Sequence, residues 1–142
     1  MAACLAAQDR PQPRVALGLA LRGLATAAID VSDGLRADIG HILERSALAA
    51  DIDFPLLPRA AIEDGADAVL AQQSLLAGGD DYELAFAAPP ARRGDIEALA
   101  ARLGLPLARI GRLRAGPAAQ LVVRDEAGGA MPLGRRGFDH FA

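Results

Sequence analysis

Ala27-Ala28-Ile29-Asp30-Val31-Ser32-Asp33-Gly34-Leu35 reads as a short buried strand that runs through a tight turn into a helix. The helix is predicted from Leu35 to Ala47, because Leu35, Ile39, Ile42 and Leu43 recur at helical spacing and leave Arg36, Glu44 and Arg45 for water. Upstream, Arg10-Pro11-Gln12-Pro13 closes a linker over residues 1–13, since two prolines one residue apart break a helix. From Arg14 to Leu24 the apolar residues run nearly all round a helix, which requires cover from more than one neighbour.

Downstream, Ala49 to Phe54 alternates Ile52 and Phe54 against Asp51 and Asp53, the pattern of a half-buried strand, and Pro55 to Pro58 stops it. Ala60 to Ala77 is helical with a break at Gly65, so the longer piece starts near Ala66 and ends at Gly78-Gly79. A strand follows from Tyr82 to Ala87, with Tyr82, Leu84 and Phe86 on one face, then a helix from Arg92 to Leu103 closed by Gly104. Leu107 to Leu113 is read as a strand. Leu121 to Arg124 and Ala130 to Leu133 are read as a hairpin around Glu126-Ala127-Gly128-Gly129. The fold class is therefore α/β or α+β, a mixed β-sheet with flanking helices.

With 142 residues the chain makes one domain, and its net charge of −3, with basic residues scattered, offers no footprint for nucleic acid. No apolar run approaches the roughly 20 residues of a membrane span, and the first residues lack the pattern of a signal peptide, so the expected location is the cytoplasm. All 15 basic residues are arginine, which excludes chemistry that depends on lysine. The single cysteine, Cys4, and two distant histidines, His41 and His140, argue against thiol and zinc sites.

Chemistry concentrates in three places. Asp30, Ser32, Asp33 and Asp38 crowd the first strand-to-helix turn with hard oxygen donors, which suit magnesium held by one or two carboxylates together with substrate phosphates. Amides at the helix start would add donors for a phosphate. The competing role for Ser32 or Asp33 is a helix cap, the commoner use of such residues. Gly78-Gly79-Asp80-Asp81-Tyr82-Glu83 is a second acidic patch, entered from a helix C-terminus where negative charge is unfavourable unless a cation or partner offsets it. A solvated turn after a glycine stop is the plainer reading there. The tail Arg135-Arg136-Gly137-Phe138-Asp139-His140-Phe141 holds two of the four phenylalanines, so either it docks by hydrophobic contact or Phe138 forms an aromatic lid.

Taken in order, Ile29-Asp30-Val31-Ser32-Asp33-Gly34-Leu35, Ala37-Asp38-Ile39-Gly40-His41-Ile42, Gly78-Gly79-Asp80-Asp81-Tyr82-Glu83-Leu84 and Gly137-Phe138-Asp139-His140-Phe141 resemble the thiamine-monophosphate kinase family, from about Pro11 to the end. The resemblance implies the C-terminal domain of the aminoimidazole ribonucleotide synthetase superfamily, whose members use ATP. It implies ATP-dependent phosphorylation of thiamine phosphate to thiamine diphosphate, with Asp30 and Asp33 as Mg2+ ligands, Ser32 on ATP, and Asp80 and Phe138 on thiamine phosphate. Phe138 lacks the hydroxyl or indole group that relatives often carry there.

The family also has an N-terminal domain with a further acidic metal motif, much of the ATP site and the dimer contact. Residues 14–142 therefore look like the C-terminal domain, with residues 1–13 a linker or remnant of a preceding segment. The partners expected are that N-terminal domain and, in the complete enzyme, a second copy; the chain alone is expected to be an incomplete phosphotransferase. The alternatives are a non-catalytic module that binds a nucleotide or partner, or another ATP-using member of the superfamily.

Overall fold

The computed structural model describes residues 10–58, 68–79 and 82–133. In chain order the elements are α1 (Val15–Ala20), β1 (Ala27–Val31), α2 (Leu35–Ser46), β2 (Ala49–Asp53), α3 (Ala68–Ala77), β3 (Glu83–Ala87), α4 (Arg93–Leu103), β4 (Gly111–Arg114) and β5 (Leu121–Arg124). Short 3₁₀ turns at Phe54–Leu56 and Pro90–Arg92 follow β2 and precede α4, each containing proline in its first turn.

The strands form two sheets rather than one. β1 and β3 make an antiparallel pair with Asp30 opposite Leu84 and Val31 opposite Glu83. β2 is the middle strand of the other sheet, antiparallel to β4 and parallel to β5. The mixed architecture read from the sequence is thus present, with the three-stranded sheet carrying both an antiparallel and a parallel pairing and the two-stranded one an antiparallel pairing alone. The expected terminal hairpin is nearly vestigial: β5 is met by a single bridge from Arg124 to Ala130, and the Met131 N–H donates to the Val123 carbonyl at 2.8 Å.

Each sheet has its own core. Ile52 and Val123, from the inner face of β2 and β5, pack with Leu57 and Leu76, flanked by Leu35 and Ile39 of α2. Leu17 and Leu21 pack on Leu99 of α4, with Leu84 and Phe86 of β3 beside them. Burial of such side chains stabilises by about 1.5–3 kcal/mol each relative to exposure. α2 carries Leu43, which is wholly buried, and thereby anchors the strand–turn–helix unit.

Three expectations change. The all-round apolar segment beginning at Arg14 makes a helix only to Ala20, and it is buried on one side: Leu17 and Leu21 face α4, while Val15 and Leu19 are 63% and 62% exposed. Alternation puts Asp51 on the solvent side of a half-buried strand, yet it is only 4% exposed. β2 is a central strand, and three arginines from β4 and β5 cover the carboxylate. Tyr82 also lies outside β3, at φ 50°, in the left-handed region that non-glycine residues rarely adopt.

Candidate functional site at the turn between β1 and α2

The turn Ser32–Gly34 sits where β1 ends and α2 begins, so side chains on it are carried by a buried strand residue, Val31, on one side and an anchored helix on the other. Asp30 is exposed at the end of the strand, and Ser32 and Asp33 are half-buried in the turn. The helix cap is not a side chain. Gly34 is the N-cap, at φ 117° and ψ 141°, and no side-chain capping hydrogen bond is made there. A Cβ at Gly34 would stand 2.9 Å from the Ala77 Cα, so both the backbone conformation and the contact with the end of α3 require glycine. The reading of Ser32 or Asp33 as N-cap is therefore corrected.

The turn is organised from beneath by Asp38, one helical turn into α2. Asp38 is 3% exposed, and its Oδ2 accepts the Ser32 N–H at 3.0 Å and the Asp33 N–H at 3.1 Å. A carboxylate buried this deeply is tolerated because charge-assisted bonds from the backbone replace water. The Ser32 and Asp33 amides are thus already used, whereas the helix-start amides read from the sequence as phosphate donors lie after Asp33.

From outside, the second motif closes on the first. A Cβ at Gly79 would lie 2.4 Å from the Ser32 carbonyl oxygen, so the backbones touch there and only glycine fits. Three residues on, the Tyr82 N–H donates to the Val31 carbonyl at 3.0 Å. Gly79 and Tyr82 flank Asp80 and Asp81, which lie outside the described residues, as do Phe138, His140 and the Arg135-Arg136 pair. Two of the three motifs are therefore adjacent in space, although Gly34 and Gly78 are 44 positions apart in the chain. Glu83 has a structural partner: the Arg14 guanidinium binds it through both carboxylate oxygens, tying the start of α1 to β3. That contact holds the guanidinium pKa above its usual range.

Asp30 and Asp33 do not belong to a ready-made cage. Among the described residues no group of three or more His, Cys, Asp and Glu side chains is arranged to hold a metal. One or two carboxylates beside a hydroxyl still fit the way Mg2+ is commonly bound, with water and phosphate oxygens completing the shell. The groove between β1 and α2 is at the far end of the unit, lined by Ala27, Ile29, His41, Ile42 and Arg45, and it includes none of the turn residues. His41, exposed on α2, belongs to that groove and not to the acidic turn.

The functional-looking cluster that sequence reasoning missed is on the outer face of the three-stranded sheet. Asp51 Oδ1 accepts from Arg124 Nη2 at 3.1 Å, and its Oδ2 lies 3.3 Å from Arg114 Nε and 3.5 Å from Arg112 Nε. Burial pushes this carboxyl up, but the hydrogen bonds and charges of Arg114 and Arg124 outweigh it and hold the pKa below the ordinary carboxylate range. Its three partners come from between 61 and 73 residues away, so no local pattern signalled it.

The two sheets and flanking helices match those of solved proteins of the aminoimidazole ribonucleotide synthetase-like fold. No family model matches the chain. It is 42% identical over 134 residues to thiamine-monophosphate kinase of Escherichia coli strain K12, covering 94% of this chain and 41% of that protein. Among solved structures, thiamine-monophosphate kinase from Stenotrophomonas maltophilia K279a superposes with a TM-score of 0.75 at 46% identity, over 86% of this chain and 37% of that one. AaThiL complexed with AMPPCP and TMP superposes with a TM-score of 0.74 at 27% identity, over 98% of this chain and 41% of that one. In sequence and fold the chain is similar to the C-terminal part of thiamine-monophosphate kinases, spanning about two fifths of the length of the curated relatives it matches.

Proposed function

We propose that this chain supplies the C-terminal part of a kinase that transfers the terminal phosphoryl group of ATP to thiamine phosphate, giving thiamine diphosphate. The observation that carries the reading is the 42% identity to a thiamine-monophosphate kinase over 94% of the chain. The packing of the Asp30–Asp33 turn against the Gly78-Gly79 motif supports it. The solved relative complexed with AMPPCP and TMP fits the same pair of ligands.

In this reading Asp30 and Asp33 hold Mg2+, and Ser32 donates its hydroxyl to an ATP phosphate oxygen. Bound there, the metal supplies positive charge that offsets repulsion between two anionic substrates and the carboxylates. Asp80 and Phe138 receive thiamine phosphate: the cationic thiazolium ring is attracted both to a carboxylate and to an aromatic face. The chain's own contribution is to position carboxylates and hydroxyl against a transferring phosphoryl group, which requires neither lysine nor a covalent intermediate. The remaining site residues, the dimer contact and cover for Val15 and Leu19 come from the N-terminal domain, and the complete enzyme is a cytoplasmic homodimer.

The test is to substitute Asp30→Asn and Asp33→Asn in the enzyme reassembled with an N-terminal half. Turnover is expected to fall by about 100-fold or more, as removal of electrostatic transition-state stabilisation commonly does, with the thermal midpoint little changed. Normal turnover and normal magnesium dependence in both variants would remove these residues from the metal site.

A further inference from the structure

The turn presents a choice between two ways of holding an anionic ligand. Successive backbone N–H groups at a strand-to-helix turn make a concavity that binds phosphate directly. Carboxylates at the same turn repel phosphate and bind it only through an intervening cation. Here the N–H groups of Ser32 and Asp33 both point at Asp38 Oδ2, at 3.0 and 3.1 Å, and Asp38 is 3% exposed. The protein's own buried carboxylate thus occupies the anion position that these amides would otherwise offer.

The outer side of the turn is restrained as well. The Ser32 carbonyl is pressed against Gly79, and the Val31 carbonyl accepts the Tyr82 N–H, so the turn is restrained from outside as Asp38 restrains it from inside. Asp38 itself is rigidly based, because its own N–H donates to the Gly34 carbonyl at 3.0 Å and Leu43, on the same helix, is wholly buried.

We propose that Asp38 is a positioning residue which, by accepting the Ser32 and Asp33 N–H groups, withdraws both amides from anion binding and fixes the turn as a cation-binding one. The inference rests on the assignment of Asp30 and Asp33 to a divalent cation and adds to it. Asp38 touches neither metal nor nucleotide. A phosphate group reaches this turn through a bridging cation or the Ser32 hydroxyl, and not through the amides of residues 32 and 33.

The experiment uses the whole chain, with Mn2+ as the probe, read by electron paramagnetic resonance titration alongside amide hydrogen exchange at Ser32 and Asp33. Exchange at Leu43 in the middle of α2 reports whether the fold is intact. In Asp38→Ala both turn amides are expected to exchange much faster while Leu43 stays protected. Mn2+ affinity is expected to fall by about 10- to 100-fold, the usual cost of removing a group that orients metal ligands. Asp38→Asn, which keeps one acceptor oxygen and the side-chain shape, should protect the amides and bind Mn2+ to an intermediate degree. Affinity that falls in both variants with the amides still protected would make Asp38 a mere nearby charge and overturn the proposal. Unchanged affinity with freely exchanging amides would overturn it as well. A wild-type chain that takes up no Mn2+, with amides 32 and 33 protected and released only in Asp38→Ala, would instead remove the metal assignment of Asp30 and Asp33 while upholding the hold of Asp38 on the turn.

Discussion

Two aspartates in this molecule are buried to almost the same degree, Asp38 at 3% and Asp51 at 4% exposure, and they are stabilised in opposite ways. Asp38 is held by two backbone amides of the turn at the end of β1, within six residues of itself. Asp51 is held by side chains, the guanidinium groups of Arg112, Arg114 and Arg124 on the two neighbouring strands. Amide donors carry no net charge and cannot swing away, so Asp38 fixes a stretch of backbone and leaves its surroundings negative. Arginines bring compensating charge on long side chains, so Asp51 neutralises itself and staples three strands, but dictates no loop conformation. Equal burial therefore fixes a turn in one place and a sheet in the other.

The sharpest way to break that contrast is to remove Asp51. Asp51→Ala is expected to cost about 2–4 kcal/mol of stability, below the upper range for buried ion pairs because the arginines left behind are partly exposed and rehydrate. Chemical denaturation measures the loss. Amide exchange at Ser32 and Asp33 should be unaffected below the denaturation range, and a change there would mean that the two regions are coupled.

Next in size is Gly79→Ala, where the added Cβ meets the Ser32 carbonyl at 2.4 Å and backbone must move. Overpacking of this kind costs about 1–3 kcal/mol. Its more telling effect should be on the turn, with weaker Mn2+ binding by the chain while the Asp51 cluster is undisturbed. A Gly79→Ala protein with wild-type stability and metal affinity would show that the two motifs are not pressed together as described.

The smallest effect is the response to acid. The pKa of Asp51 is lowered on folding, so the unfolded chain binds its proton more readily. The stabilisation is complete above the ordinary carboxylate pKa and is lost as pH falls through the depressed folded value. The gap in thermal midpoint between wild type and Asp51→Ala should therefore be constant near neutrality and close only below the usual carboxylate range. A gap that closes already at mildly acidic pH would contradict the ion-pair account.

The same contrast explains how much could be read from the sequence. The strand from Ala27 to Val31 and the helix from Leu35 were legible because Leu35, Ile39, Ile42 and Leu43 are periodic and Ser32-Asp33-Gly34 interrupts them. Gly104 as the end of α4 was legible for the same local reason, and it adopts the left-handed conformation of a helix stop. Asp38 was visible as one acid among three, but its role depends on a side chain folding back on amides five and six residues earlier. Asp51 was misread because alternation with Ile52 looks like an exposed face, and only topology brings Arg112 and Arg124 to it. Gly79 looked like a simple helix stop, whereas the contact that demands glycine is with Ser32, far away in the chain. Asp80 and Phe138, given their roles by resemblance, lie outside the described residues and remain proposals.

The central claim is that this chain supplies part of a thiamine-phosphate kinase, and magnesium-dependent phosphoryl transfer from ATP to thiamine phosphate tests it most directly. The chain would be assayed alone and mixed with a separately expressed N-terminal half from a relative. The expected result is transfer in the mixture and little or none with the chain alone. No transfer from a mixture whose halves are shown to associate would contradict the claim and leave a binding module in its place.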